Sequence, residues 1–190
     1  TLAPLTALML VYTFIGLSIT AQPIVESRAA AEPAVISDSV VVPADAVLPR
    51  PPDGQLAALG PDHTARMKLT YKVLGSAFHD TTKTIVADLL YAYAFAYRWG
   101  VRGGEGTRYD PFIDRATASL RRHLVAVRPS GVDAGARSFR VGDVDFMREV
   151  FTVEVYLDVA PDDADWNALV APPWSTLPWH VLVLMEEAVT

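Results

Sequence analysis

Cysteine is absent from all 190 residues. That absence removes disulfides, thiolate nucleophiles, iron-sulfur ligands and covalent haem attachment from the chemistry open to this chain. Histidine is scarce, and His63, His79, His123 and His180 show neither the i, i+4 nor the paired spacing that a zinc site on one helix needs. Ser76, Ser119, Ser130, Ser138 and Ser175 lie in no nucleophile elbow. Lys and Arg together number 16 against 22 Asp and Glu, a net charge of -6 with a pI near 5.1. A surface of that sign has no general affinity for polyanions, so nucleic acid is not expected as a partner. No catalytic, cofactor-binding or metal-binding residue is nominated, and the expectation is a protein that is not an enzyme.

The most local absence is of charge. Residues Leu2 to Val25 (LAPLTALMLVYTFIGLSITAQPIV) carry no charged side chain. About 20 apolar residues is the length that crosses a hydrocarbon core of roughly 30 Å as a helix. Nine Leu, Ile, Val and Phe residues between Leu2 and Ala21 contribute about 3 to 5 kcal/mol at central depth, partly offset by Pro4, Gly16, Thr and Ser. Ser18-Ile19-Thr20-Ala21 before Gln22 also fits a secretory cleavage site, but the basic n-region of such a signal is missing. The segment is therefore read as a single transmembrane helix over 1–25, with Gly16, Ser18 and Ala21 as the small residues that would pack against a partner in the bilayer. Only Arg28 flanks it, so charge does not set its orientation. The Pro- and Ala-rich stretch that follows suits a tether on the extracytoplasmic side.

Pro33, Pro43, Pro49, Pro51, Pro52 and Pro61 interrupt the next stretch, which predicts an extended connector over 26–63. Val40 to Val42 and Val47-Leu48 in it could add short edge strands or lie along a partner. The domain over 64–190 is long enough to bury a core. Met67, Leu69, Tyr71 and Val73 alternate on one face of a strand. From Tyr91 to Trp99 two periods compete: aromatics recur every second residue, yet Ala is the best helix former, and Tyr91, Phe95 and Trp99 fall at i, i+4, i+8. The reading is a helix, capped by Thr82 or Thr84 and ended by Gly100. Asp110 as cap, Pro111 at the first position and Asp114 in the first turn start a second helix. Strand signals follow at SFRV and over Met147 to Val159, with Gly142-Asp143 as a hairpin turn, one apolar face and one wet face. A last helix runs from about Leu177 to Val189. The fold class is α+β: a transmembrane helix, an extended connector, and a small soluble domain with a mostly antiparallel sheet and about three helices.

Two motif-like stretches dissolve on inspection. Gly103-Gly104-Glu105-Gly106 lacks a following Gly-Lys-Ser/Thr and comes after a helix, where a phosphate loop needs strand then helix. Asp163, Asp165 and Asn167 match the first ligands of a calcium loop, but Ala168 stands where glycine is needed and Trp174 where the bidentate glutamate belongs.

The stretch KLTYKVLGSAFHDTTKTIVADLLYAYAFA, Lys68 to Ala96, resembles part of the oligopeptide-binding class of ABC-transporter solute-binding proteins. That pattern runs strand, Phe/Trp-His-Asp-Gly-x-Pro, then Thr-Ala-x-Asp-Val and a helix. Phe78, His79 and Asp80 match its start, and Val86-Ala87-x-x-Leu90 with Asp88 approximate the remainder; Thr81 replaces the glycine and Lys83 the proline. The resemblance implies an exported, non-catalytic lineage and carries over no ligand-contacting residue. Two function classes follow. One is a membrane-anchored accessory subunit of the inner membrane, its bulk periplasmic, that docks on a larger integral membrane complex, an energy-converting one included, through its helix, the lipid bilayer and its outer domain. Trp166, Trp174 and Trp179 are the aromatic candidates for that contact. The alternative is a fragment or degenerate form of a solute-binding protein.

Overall fold

The computed structural model describes residues 29–78, 80–104, 107–159, 171 and 177–189. Among them lie six strands and three helices: β1 Ala29–Val42, β2 Val47–Arg50, β3 Gln55–Ala58, β4 His63–Leu74, α1 Val86–Gly100, α2 Pro111–His123, β5 Leu124–Val141, β6 Val144–Leu157 and α3 Trp179–Ala188. The strands form one sheet in the order β1-β4-β6-β5-β2-β3, every pairing antiparallel. The α+β class with a mostly antiparallel sheet and three helices is thus observed. Residues 1–25, expected as a transmembrane helix with Gly16, Ser18 and Ala21 at its contact face, lie outside the described residues, as do Trp166, Trp174, Asp163, Asp165 and Asn167.

The stretch expected as an extended connector supplies three strands, two of which hold Val40 to Val42 and Val47-Leu48, the segments read as able to add short strands. β1 runs along β4 from Ala29↔Val73 to Val42↔His63. Its prolines are tolerated because β1 is an edge strand and because a register shift between Glu32 and Val35 brackets Pro33, where a missing N–H costs no ladder bond. β2 and β3 form a hairpin closed by the turn 51–54. There Gly54 takes φ 71, its N–H donates to the Arg50 carbonyl at 2.8 Å, and an added Cβ would collide with the Ala94 carbonyl of α1. The turn is thereby seated on α1.

β4 reads as its alternation predicts, with Met67, Leu69, Tyr71 and Val73 buried. They meet Phe151, Val153, Val155 and Leu157 of β6 and Leu89, Tyr93 and Tyr97 of α1 in the main core. Each fully buried large apolar side chain there is worth about 1.5 to 3 kcal/mol. α1 is a helix despite its strand-like spacing of aromatics. Its sheet-facing residues are Leu89, Tyr93 and Tyr97, whereas Tyr91, Phe95 and Trp99 line a flank, with the Phe95 and Trp99 rings 6.1 Å apart. The cap also differs: the Thr84 hydroxyl is spent on the Ser76 carbonyl at 2.7 Å, and Asp88 accepts from the Ile85 N–H at 2.7 Å instead. α2 begins as read, the Asp110 carboxylate accepting from the N–H groups of Phe112 and Ile113. Gly142, at φ 61, turns the β5–β6 hairpin. β5 starts directly at Leu124 and absorbs Pro129 through a register shift, where the sequence had suggested a loop.

The second face of β6 is not simply wet. Val42 and Ala46 pack with Ala126 and Tyr156 in a smaller apolar cluster, so Tyr156 is buried and Glu154 is 9% exposed. The neighbouring turn thus covers part of a face that alternation alone assigns to solvent.

Candidate functional site

Between β4 and α1 the chain makes a tight hairpin over residues 76–84. Thr84 donates its N–H to the Ser76 carbonyl at 2.9 Å, Ala77 bridges Lys83, and Phe78 donates to the Thr82 carbonyl at 2.8 Å. Asp80 accepts from both the N–H and the hydroxyl of Thr82, at 3.0 and 2.6 Å. At the tip Thr81 takes φ 70, the left-handed region that suits glycine. The foot of the hairpin borders a cleft of about 500 Å³ lined by Gly75, Ser76, Lys83, Thr84, Arg148 and Glu149 among others. Gly75 is required there, because a Cβ would stand 2.8 Å from the Phe151 ring. Lys83, Arg148 and Glu149 place both charge signs at this opening.

A second concentration of polar groups joins α3 to the body. The buried Asp88 carboxylate caps two helices at once, accepting from Ile85 N–H and, through its other oxygen, from Trp179 N–H at 2.7 Å. At the other end of α3, buried Glu186 accepts from the Tyr91 hydroxyl at 2.6 Å, from Arg98 at 2.8 Å and from Arg108 at 2.9 Å. Arg108 also pairs with Glu187. Burial, then the Glu186 bond and charge, push the Tyr91 phenol far above its ordinary value. Burial would weaken the Arg98 cation, but Glu186 outweighs it and raises its pKa.

A comparable cluster occupies the second sheet face. Glu154 takes an ion pair from Lys68, a hydroxyl bond from Tyr156 at 2.8 Å and a longer contact from Arg128 at 3.3 Å, while Arg128 also pairs with Asp45. Burial opposes ionisation of Glu154, but Lys68 and Tyr156 prevail and hold its carboxyl below the usual range.

Of the six residues expected to contact a partner, Trp179 alone falls among the described residues. It stands at the start of α3, 36% exposed, its ring tilted on Tyr91 at 6.4 Å and edge-on to His180. His180 lies 3.8 Å from Asp80, His123 faces the Asp158 carbonyl and His63 is exposed at the start of β4. Among the described residues no three His, Asp or Glu side chains are grouped to hold a metal ion, and no helix is long and apolar enough to cross a membrane. Sequence reading missed Asp88 as a double cap and the Glu186, Arg98 and Arg108 cluster. The available signal was Glu186-Glu187 closing an otherwise apolar helix. No protein-family model matches this chain, and no curated protein matches it.

Proposed function

We propose that this chain is an exported, non-catalytic domain of the solute-receptor type, held at the periplasmic face of the inner membrane by residues 2–25. The observation that carries the reading is Thr81. It stands where the resembled pattern has glycine, and its φ of 70 is the conformation glycine serves. Asp88, which approximates the pattern's later aspartate, caps α1. Two positions of the resemblance therefore have physical roles in the strand, turn and helix that hold them. The cleft at the foot of that turn offers a polar site for solute. Calorimetry on the full chain with a mixture of short peptides tests the proposal: saturable heat, lost in Lys83→Ala, is expected, and the absence of heat at millimolar peptide refutes it.

A second reading, the accessory subunit docked on an integral membrane complex, is favoured by α3. That helix is almost wholly apolar yet leaves Leu184 67% and Trp179 36% exposed. Copurification from native membranes separates the two. Stoichiometric recovery of large integral subunits with no peptide binding supports docking, and recovery of the chain alone refutes it.

A further inference from the structure

The Glu186 cluster goes beyond either reading, because the body of the domain supplies its cationic half and holds each guanidinium by a contact of its own. Arg98 is tied through Nε to the Asp53 carbonyl at 2.7 Å and lies 5.9 Å over the Tyr91 ring. Arg108 lies 6.0 Å over the Trp99 ring, whose buried indole N–H has no acceptor among the described residues. Two guanidinium groups and a phenol thus converge on one point at the flank of α1, braced by aromatic faces. α3 delivers one carboxylate into them, its side chain 2% exposed while those of Arg98 and Arg108 remain 25% and 23% exposed. Among the described residues Leu182 is the one buried apolar side chain of α3, and Asp88 holds the helix's first N–H.

We infer that Arg98, Arg108 and Tyr91 form a carboxylate-binding socket, and that Glu186 is its resident occupant, so that a small monocarboxylate competes with α3 for the site. The chemistry selects for a planar anion with two acceptor oxygens. One oxygen faces the phenol and the other both guanidinium groups, as Glu186 shows. Chloride offers no such pair of directed acceptors.

Chemical rescue tests the socket on the full chain. Glu186→Ala deletes what acetate can replace. Acetate at about 100 mM, against chloride at equal ionic strength, is expected to raise the Tm of E186A by about 3 °C. The effect should saturate and should vanish when Arg98→Ala is added. If E186A is unfolded in chloride, refolding in acetate supports the socket and failure to refold opposes it. An equal response of E186A to both salts overturns it. The competition has its own readout: amide exchange of residues 181–187 in the unaltered chain should quicken in acetate relative to chloride, and identical exchange in the two salts refutes that part.

Discussion

The two buried glutamates make a natural pair. Glu154 and Glu186 each hold a tyrosine hydroxyl and two cations, yet one is assembled by neighbouring strands and the other by an element distant in sequence. Arg128 is the register partner of Glu154, Lys68 lies on the adjacent strand β4, and Tyr156 is two residues away on the same strand. Sheet pairing brings these groups together whether or not the ion pairs form. Around Glu186 the order is reversed, since among the described residues α3 buries one apolar side chain, Leu182, while Tyr91, Arg98 and Arg108 all bond to its Glu186. Similar chemistry thus decorates a formed structure in one place and attaches a helix in the other.

Glu186→Ala should therefore cost more than Glu154→Ala. Removing one partner of a buried pair costs several kcal/mol, and about 3 kcal/mol is expected for E186A. For E154A about 1 to 2 kcal/mol is expected, because Lys68 and Arg128, about a quarter to a third exposed, turn to water. Urea unfolding of both variants measures the difference, and equal costs would erase the distinction between decoration and attachment. Asp88→Ala comes next, at about 2 kcal/mol, since it strips caps from α1 and α3 together. Its loss should fall unevenly, with amide exchange rising over α3 before α1.

Acid separates the clusters less strongly. The Glu154 carboxyl sits below its ordinary value of 4.5 in the folded chain. Its contribution is thus complete above that value and is lost as pH falls through the lower folded one. The urea midpoint should drop below about pH 4.5, and Glu154→Gln should flatten that part of the profile. A variant with an unchanged acid limb would assign the limb to other carboxylates.

How far the sequence discloses these features depends on how local their causes are. The α2 cap at Asp110, the turn at Gly142 and the buried face of β4 follow from neighbours a few residues apart, and the structure places them as read. The helical state of α1 was legible because alanine propensity outweighs a misleading aromatic period. The strands at 29–58 were legible only as short pieces at Val40 to Val42 and Val47-Leu48, because proline content argues against a longer strand until the edge position and bulge that accommodate it are known. Asp88 was hidden for a different reason: its N–H partners lie three residues away and ninety-one residues away, and only the first distance has a sequence signature. The candidate cleft likewise depends on β5 and β6 meeting the hairpin from far along the chain.

Thr81 supplies the smallest expected effect and the sharpest link between turn and sequence. A residue with a Cβ pays about 1 to 2 kcal/mol in the left-handed region, and a β-branched one has the least room to adjust. Glycine gives back part of that gain through its freer unfolded chain, about 0.5 to 1 kcal/mol. Thr81→Gly should therefore stabilise the full chain by about 0.5 to 1 kcal/mol, a rise in Tm of about 1 to 4 °C. The Thr81 N–H still donates to the Phe78 carbonyl in the variant, so the turn itself is kept. Thr81→Ala, which removes the branch but keeps Cβ, should recover less than glycine does. If glycine destabilises the chain while alanine does not, the left-handed turn is not what residue 81 provides, and the strongest support for the solute-receptor reading goes with it.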